Sequence, residues 1–68
     1  PQLDGLSARE RQVLELLASG QPNSAIAASL GLSEATVKTH LVHVYAKLGV
    51  KDRAAAVAVA YERGLLGA

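Results

Sequence analysis

Apolar residues recur at helical spacing in four stretches of this chain. The clearest stretch is the third, where Val37, Leu41, Val44 and Leu48 follow a period of about 3.6 residues and so lie along one side of a helix. No stretch alternates apolar and polar residues as a strand does, and no Asn-Gly hairpin signal occurs. The pattern therefore predicts an all-α domain of four helices, at about residues 7–19, 23–30, 33–48 and 52–63.

A short turn separates the second and third predicted helices. Gly31 follows the last apolar residue of the second helix and suits a left-handed C-terminal cap, while Ser33 offers a side-chain oxygen to cap the third helix. About three residues then lie between the two helices, which is the turn length of a helix-turn-helix.

The side of the third helix opposite its apolar stripe is small, polar and basic. Its residues are Ala35, Lys38, Thr39, Val42, His43 and Ala46, with Thr36, His40 and Lys47 on the flanks. Short side chains and hydrogen-bond donors are what a helix needs to enter the major groove of DNA. Lysines alone are equally typical of any solvated helix surface. The short turn before this helix is what favours the DNA-reading interpretation.

The chain resembles the LuxR/NarL-type (GerE-type) DNA-binding domain of bacterial transcription regulators in three segments: LSARERQVLELLASG, NSAIAASLGLSEATVKTHLVHVYAKLGV and DRAAAVAVAYERGL. The resemblance extends from about Leu6 to Leu65 and rests on the joint order and spacing of these segments. It implies a four-helix domain whose second and third helices form the helix-turn-helix. It further implies that the third helix enters the major groove and that the fourth helix dimerises.

The resemblance also implies roles for individual residues. Thr36 would contact a phosphate, and Lys38, Thr39 and Val42 would face the groove. Lys47 matches a recurrent lysine near the end of the recognition helix and would contact the DNA backbone. The remaining candidates for the DNA surface are Asn23, His43 and Lys51.

Two departures from the family pattern affect the expected operator. Many members read Asn-Lys-Glu-Ile-Ala where this chain reads Asn23-Ser24-Ala25-Ile26-Ala27, so a phosphate-contacting lysine is missing. Asn23 alone is left there for helix capping and backbone contact. Some members also carry a basic residue at the position of Val42. The resemblance therefore does not define the operator sequence.

Composition narrows the class of protein. A chain of 68 residues forms one small domain, and without cysteine it has no disulfide framework. No apolar run approaches the roughly 20 residues that span a membrane, and no signal peptide is recognisable, so we expect a soluble, cytoplasmic domain. We interpret residues 1–5 as the remnant of a linker and residues 6–68 as the domain.

The formal net charge is only +1, but the charges are unevenly placed. Positions 35–53 contain one acidic residue, Asp52, against the basic residues Lys38, Lys47, Lys51 and Arg53. A locally basic surface around the third helix favours phosphate binding.

Glu10 lies on the apolar side of the first predicted helix. Ser7 and Glu10 form a capping-box pattern, yet Glu10 also shares a face with Leu6, Val13 and Leu17 and would need a partner near the core. Arg53 lies on the inner face of the fourth helix. We therefore predict a structural ion pair between Glu10 and Arg53, the alternative being a solvated glutamate engaged only in capping.

The outer side of the fourth helix is unusually apolar. Its residues are Ala55, Ala58, Val59 and Glu62. An alanine-rich surface is explained by helix propensity alone. Because the resemblance implies dimerisation, we favour a contact with a second copy, which would set two recognition helices about one DNA turn apart.

Residue patterns for catalysis or metal binding are weak. His40 and His43 are three residues apart, but no cysteine accompanies them and Glu34 is the only nearby acid, so we predict no metal site. The serines lack a His and Asp framework, and no phosphate-binding loop pattern occurs. We predict neither an enzyme nor a cofactor.

The sequence thus predicts a double-stranded DNA-binding effector domain of a bacterial transcription regulator, most readily a response regulator, acting as a homodimer. RNA polymerase and an N-terminal receiver or sensor domain are further candidate partners. Two alternatives stay open: a helical protein-interaction module, and a sigma-factor-like helix-turn-helix working within RNA polymerase.

Overall fold

The computed structural model describes residues 5–66 and confirms the all-α prediction over that range. The four helices are α1 (Ala8–Ala18), α2 (Asn23–Leu30), α3 (Glu34–Leu48) and α4 (Arg53–Glu62). Each lies within one residue of its predicted bounds, the differences being capping residues that the sequence pattern included. Residues 1–4 of the expected linker lie outside the described residues.

Local sequence sets where the helices begin. Ser7 and Glu10 form the predicted capping box, and the Ser33 hydroxyl accepts from the Thr36 amide at 3.1 Å at the start of α3. Asp52 accepts from the Ala55 amide at 2.8 Å at the start of α4. These side chains satisfy amide groups that have no partner within their own helix.

Two glycines set where α2 and α3 end. Gly31 and Gly49 both adopt left-handed backbone conformations, with φ of 68° and 72°. After Gly31, the Leu32 amide donates to the Ala27 carbonyl at 2.9 Å, as in a Schellman motif. The chain therefore leaves α2 sharply, and only residues 31–33 separate it from α3.

The core is built around α1 and α3. Within residues 5–66 each of these two helices packs against all three others, whereas α2 and α4 pack only against α1 and α3. The predicted apolar stripe of α3 is buried, and Ala56 and Ala60 of α4 are fully buried. The core residues are Leu6, Val13, Leu14, Leu17, Ile26, Ala27, Val37, Leu41, Val44, Leu48, Ala56, Ala60 and Leu65. Burial of one side of α3 leaves its opposite side at the surface.

Candidate nucleic-acid interface

The outward side of α3 presents the residues predicted to face DNA. Thr36, Lys38, Thr39, Val42 and His43 are all exposed, as predicted from their offset from the buried stripe. Because a helix has about 3.6 residues per turn, Ala35, Thr39, Val42 and Ala46 form a strip opposite the core. Polar residues flank that strip on both sides.

Hydrogen bonds at the start of α3 decide what its two threonines can offer. The Ser33 hydroxyl donates to Thr36 Oγ1 at 2.9 Å, so the Thr36 hydroxyl proton is left for an outside acceptor such as a phosphate. The Thr39 hydroxyl instead donates to the Ala35 carbonyl at 3.1 Å. Thr39 therefore offers oxygen lone pairs and a methyl group at the surface.

One flank of α3 is bonded to α1 through Glu10. Lys47 Nζ donates to Glu10 Oε1 at 2.7 Å, and His43 Nδ1 lies 3.8 Å from Glu10 Oε2. The same Oε1 accepts from the Ser7 amide at 2.9 Å. Glu10 is only 5% exposed, whereas the Lys47 side chain is 41% exposed, so the pair lies at the edge of the core with the ammonium reaching toward solvent.

These contacts change the ionisation of Glu10. The hydrogen bond from Lys47 is the main cause that lowers the pKa of the Glu10 carboxyl, and the Ser7 amide lowers it further. Burial opposes both effects, but the two donors prevail. Glu10 is therefore a carboxylate at neutral pH, with one oxygen shared between the α1 cap and α3.

The predicted ion pair between Glu10 and Arg53 is wrong. The Arg53 guanidinium donates to the main-chain carbonyls of Leu17 and Gln21, at and beyond the end of α1. The last carbonyl groups of a helix have no amide partner within that helix, so these two can accept from a side chain. A guanidinium has five N–H donors and can bond to several carbonyls at once. Arg53 thus holds the start of α4 to the end of α1, and Glu10 takes its cation from α3.

We expect Arg53→Met to lower the free energy of unfolding by about 1–2 kcal/mol, since two carbonyls lose a charged donor. The pKa of Glu10 should stay unchanged. Denaturant unfolding and NMR titration of the Glu10 carboxyl measure the two quantities. Arg63→Met, at an exposed arginine, is the control and should change stability by less than about 0.5 kcal/mol. A raised Glu10 pKa in Arg53→Met would show that the two charges interact after all.

The remaining predicted DNA contacts occupy different elements. Lys51 is exposed in the turn after α3, and Asn23 is half-buried as the first residue of α2. The capping role expected of Asn23 is wrong, because Pro22 holds the N-cap position and no side chain caps α2. The first amide groups of α2, those of Asn23 and Ser24, therefore donate no hydrogen bond to a capping side chain.

The outer side of α4 differs in part from the predicted dimer surface. Ala58 and Glu62 are exposed, whereas Ala55 and Val59 are half-buried. Val59 packs against the core, so it supports the fold as well as any outer contact. Ala54 and Tyr61, which the predicted dimer surface does not include, are exposed on the same side, Tyr61 by 65%.

Within residues 5–66 no group of three or more His, Cys, Asp or Glu side chains is placed to hold a metal ion. No described helix is long and apolar enough to cross a membrane.

A three-residue turn between two packed helices, with the second presenting a small and basic outer face, defines a helix-turn-helix DNA-binding domain. The family model described as "Bacterial regulatory proteins, luxR family" matches residues 4–60. The chain belongs to this family of transcription regulators, which favours the DNA-binding hypothesis over the two alternatives.

Individual relatives agree with this assignment. The chain is 59% identical over 61 residues to the probable transcriptional regulatory protein NarL of Mycobacterium tuberculosis, covering 90% of this chain and 28% of that protein. The crystal structure of the response regulator ChrA, from a heme-sensing two-component system, is 54% identical with a TM-score of 0.86, over 90% of this chain and 30% of ChrA. The transcription factor GerE is 33% identical with a TM-score of 0.82, over 88% of this chain and 90% of GerE. The chain thus spans about a quarter of the curated relative's length.

Proposed function

We propose that this domain binds a specific double-stranded DNA sequence as the effector domain of a bacterial response regulator. The observation that carries the proposal is the outward face of α3, where small side chains and exposed donors lie opposite a buried apolar stripe. In this arrangement α3 lies in the major groove, and α1 and α4 stay on the far side of the core. We further propose that the whole regulator carries a receiver or sensor domain, contacts RNA polymerase and acts in the cytoplasm.

The proposed contacts divide into two kinds. Thr36, Lys47, Lys51 and Asn23 hold the register through phosphates, and His43 lies beside them on the same flank as Lys47. Lys47 keeps two ammonium protons beyond the one bonded to Glu10, so it can serve both partners. Lys38, Thr39 and Val42 face the base edges and supply the sequence preference.

Selection of bound duplexes from a random pool, followed by salt titration, tests the proposal. We expect one sequence to be enriched and its affinity to fall steeply with salt, because binding releases counterions from the phosphates. A protein-interaction module would show no enrichment and little salt dependence. A sigma-factor-like domain would enrich a sequence only in the presence of RNA polymerase.

Lys38→Ala and Lys51→Ala form a matched pair that separates base reading from phosphate binding, since both lysines are exposed. Lys38→Ala should weaken the selected duplex by about 1–3 kcal/mol and relax the preference for it over random DNA. Lys51→Ala should weaken both duplexes alike and reduce the salt slope by about 1. Kd values on the two duplexes at several salt concentrations measure this. Equal losses on both duplexes for Lys38→Ala would refute its base-reading role.

A further inference from the structure

An apolar strip runs along the centre of the face that α3 turns toward DNA in the proposed function, on which this inference rests. The strip consists of Ala35, Thr39, Val42 and Ala46, spaced four, three and four residues apart, and all four are exposed. Val42 is 63% exposed, and with Tyr61 it is one of the two large apolar residues exposed among residues 5–66.

The hydrogen bonding of Thr39 makes the strip more apolar than its sequence suggests. Its hydroxyl proton is used by the Ala35 carbonyl at 3.1 Å, so Thr39 cannot donate to a base without breaking that bond. What it presents outward without such a change is its methyl group and two acceptor lone pairs. The donors on this face are therefore confined to the flanks, at Lys38 on one side and Thr36 and His43 on the other.

The major groove offers few apolar groups. Among the four base pairs, only the C5-methyl of thymine is apolar at that edge, and alanine and threonine methyl groups are among its usual contacts. The cations Lys38 on one flank and Lys47 on the other match the charge of the phosphate backbone on either side of the groove. We infer that the apolar strip reads thymine methyl groups, with Val42 and the Thr39 methyl as the specificity-determining groups.

The test removes the methyl from the DNA rather than from the protein. Each thymine of the duplex enriched by random-pool selection is replaced in turn by deoxyuridine, which keeps base pairing and loses only the methyl. At one or more thymine positions, the affinity of the domain for the duplex should fall about four-fold, the value expected for burial of one carbon. Kd is measured at a single salt concentration by fluorescence anisotropy.

Protein variants then show which side chains contact the thymine methyl group. With Val42→Ala or Thr39→Ser, the ratio of thymine to deoxyuridine affinity at a sensitive position should fall toward one. Thr39→Val keeps the methyl and removes the hydroxyl, so it should preserve the ratio. Lys38→Ala, which lowers affinity by another route, is the control and should preserve it as well.

The outcomes separate this inference from the proposed function. If the pool yields no enriched sequence, the proposed function itself fails, and the methyl-reading inference fails with it. If a sequence is enriched but no deoxyuridine substitution changes affinity by more than about 1.5-fold, where burial of one carbon predicts about four-fold, the domain reads DNA without its apolar strip and this inference alone is overturned. A ratio that survives Val42→Ala and Thr39→Ser would also overturn it, because the methyl would then be read elsewhere.

Discussion

Replacing Lys47 with methionine is expected to destabilise the domain by about 1–3 kcal/mol, because Glu10 would remain buried with its main cationic partner removed. Loss of one partner from a fully buried pair costs more than this. The smaller figure follows from the partial exposure of Lys47 and from the Ser7 amide, which stays bonded to Glu10. Methionine keeps much of the apolar stem, so packing changes little.

The pH dependence of stability provides a second measurement of the same pair. Since Lys47 and Ser7 lower the pKa of Glu10 in the folded state, the carboxylate contributes its full stabilisation at pH values above the ordinary glutamate pKa of about 4.5, which applies to the unfolded chain. That contribution is lost as pH falls through the lower, folded pKa. The stability gap between the parent and Glu10→Gln should therefore shrink as the pH falls below about 5.

Denaturant unfolding of both single variants and the double variant, from pH 3 to pH 7, measures these effects. We expect the double-mutant cycle to give a coupling of about 1 kcal/mol at neutral pH and none in acid. Glu15→Gln is the control, because Glu15 is an exposed glutamate of the same helix. A gap between the parent and Glu10→Gln that does not change with pH would mean that the charge of Glu10 contributes nothing to stability.

Introducing a glutamate at Ala58 is expected to weaken binding to a duplex with two half-sites by on the order of 10- to 100-fold, the usual range of coupling between two bound molecules. Binding to an isolated half-site should stay the same. The reason is that Ala58 lies at the centre of the exposed side of α4, where two copies would place like charges against each other. The measurement is the Kd on each duplex, together with sedimentation of the protein on DNA.

Ala58 is a better position than Val59 for testing association, because its side chain is exposed. Val59 also packs against the core, so a charge there would confuse folding with association. Gln12→Glu adds the same charge on the solvent side of α1 and is the matched control. Equal affinity of Ala58→Glu and the control for the two-site duplex would exclude α4 as the surface joining the two copies.

The sequence predicted the helices well because their signals are local. The stripe from Val37 to Leu48 depends only on helical period, and the ends at Ser33 and Gly31 depend on one hydrogen bond and one backbone conformation. The exposed positions of Lys38, Thr39 and Val42 then follow from geometry within one helix. Each of these predictions required no knowledge of how two helices meet.

Contacts between helices were harder to predict. Glu10 and Lys47 are 37 residues apart, and their meeting depends on how α1 is rotated against α3. The inward position of Glu10 on its helix correctly indicated the need for a cation, but the pattern pointed to Arg53, because Lys47 lies on a flank of α3 and not on its buried stripe. The carbonyl partners of Arg53 leave no sequence signal, because every residue carries a carbonyl. The same limit explains why the inward packing of Val59 was not foreseen.

The narrow reading face has a consequence for finding a site in a genome. Three side chains, Lys38, Thr39 and Val42, face the bases in the proposed arrangement. A good polar contact from Lys38 discriminates by about 1–3 kcal/mol, and each methyl contact of Thr39 and Val42 by about four-fold. At a middle value for Lys38, one copy would favour its site by roughly 500-fold over a random one. A genome presents roughly 10⁶ or more competing positions, so a single copy would spend most of its time elsewhere. Two copies bound side by side would multiply their preferences to roughly 10⁵-fold, so pairing is what brings the specific site into competition with the rest of the genome.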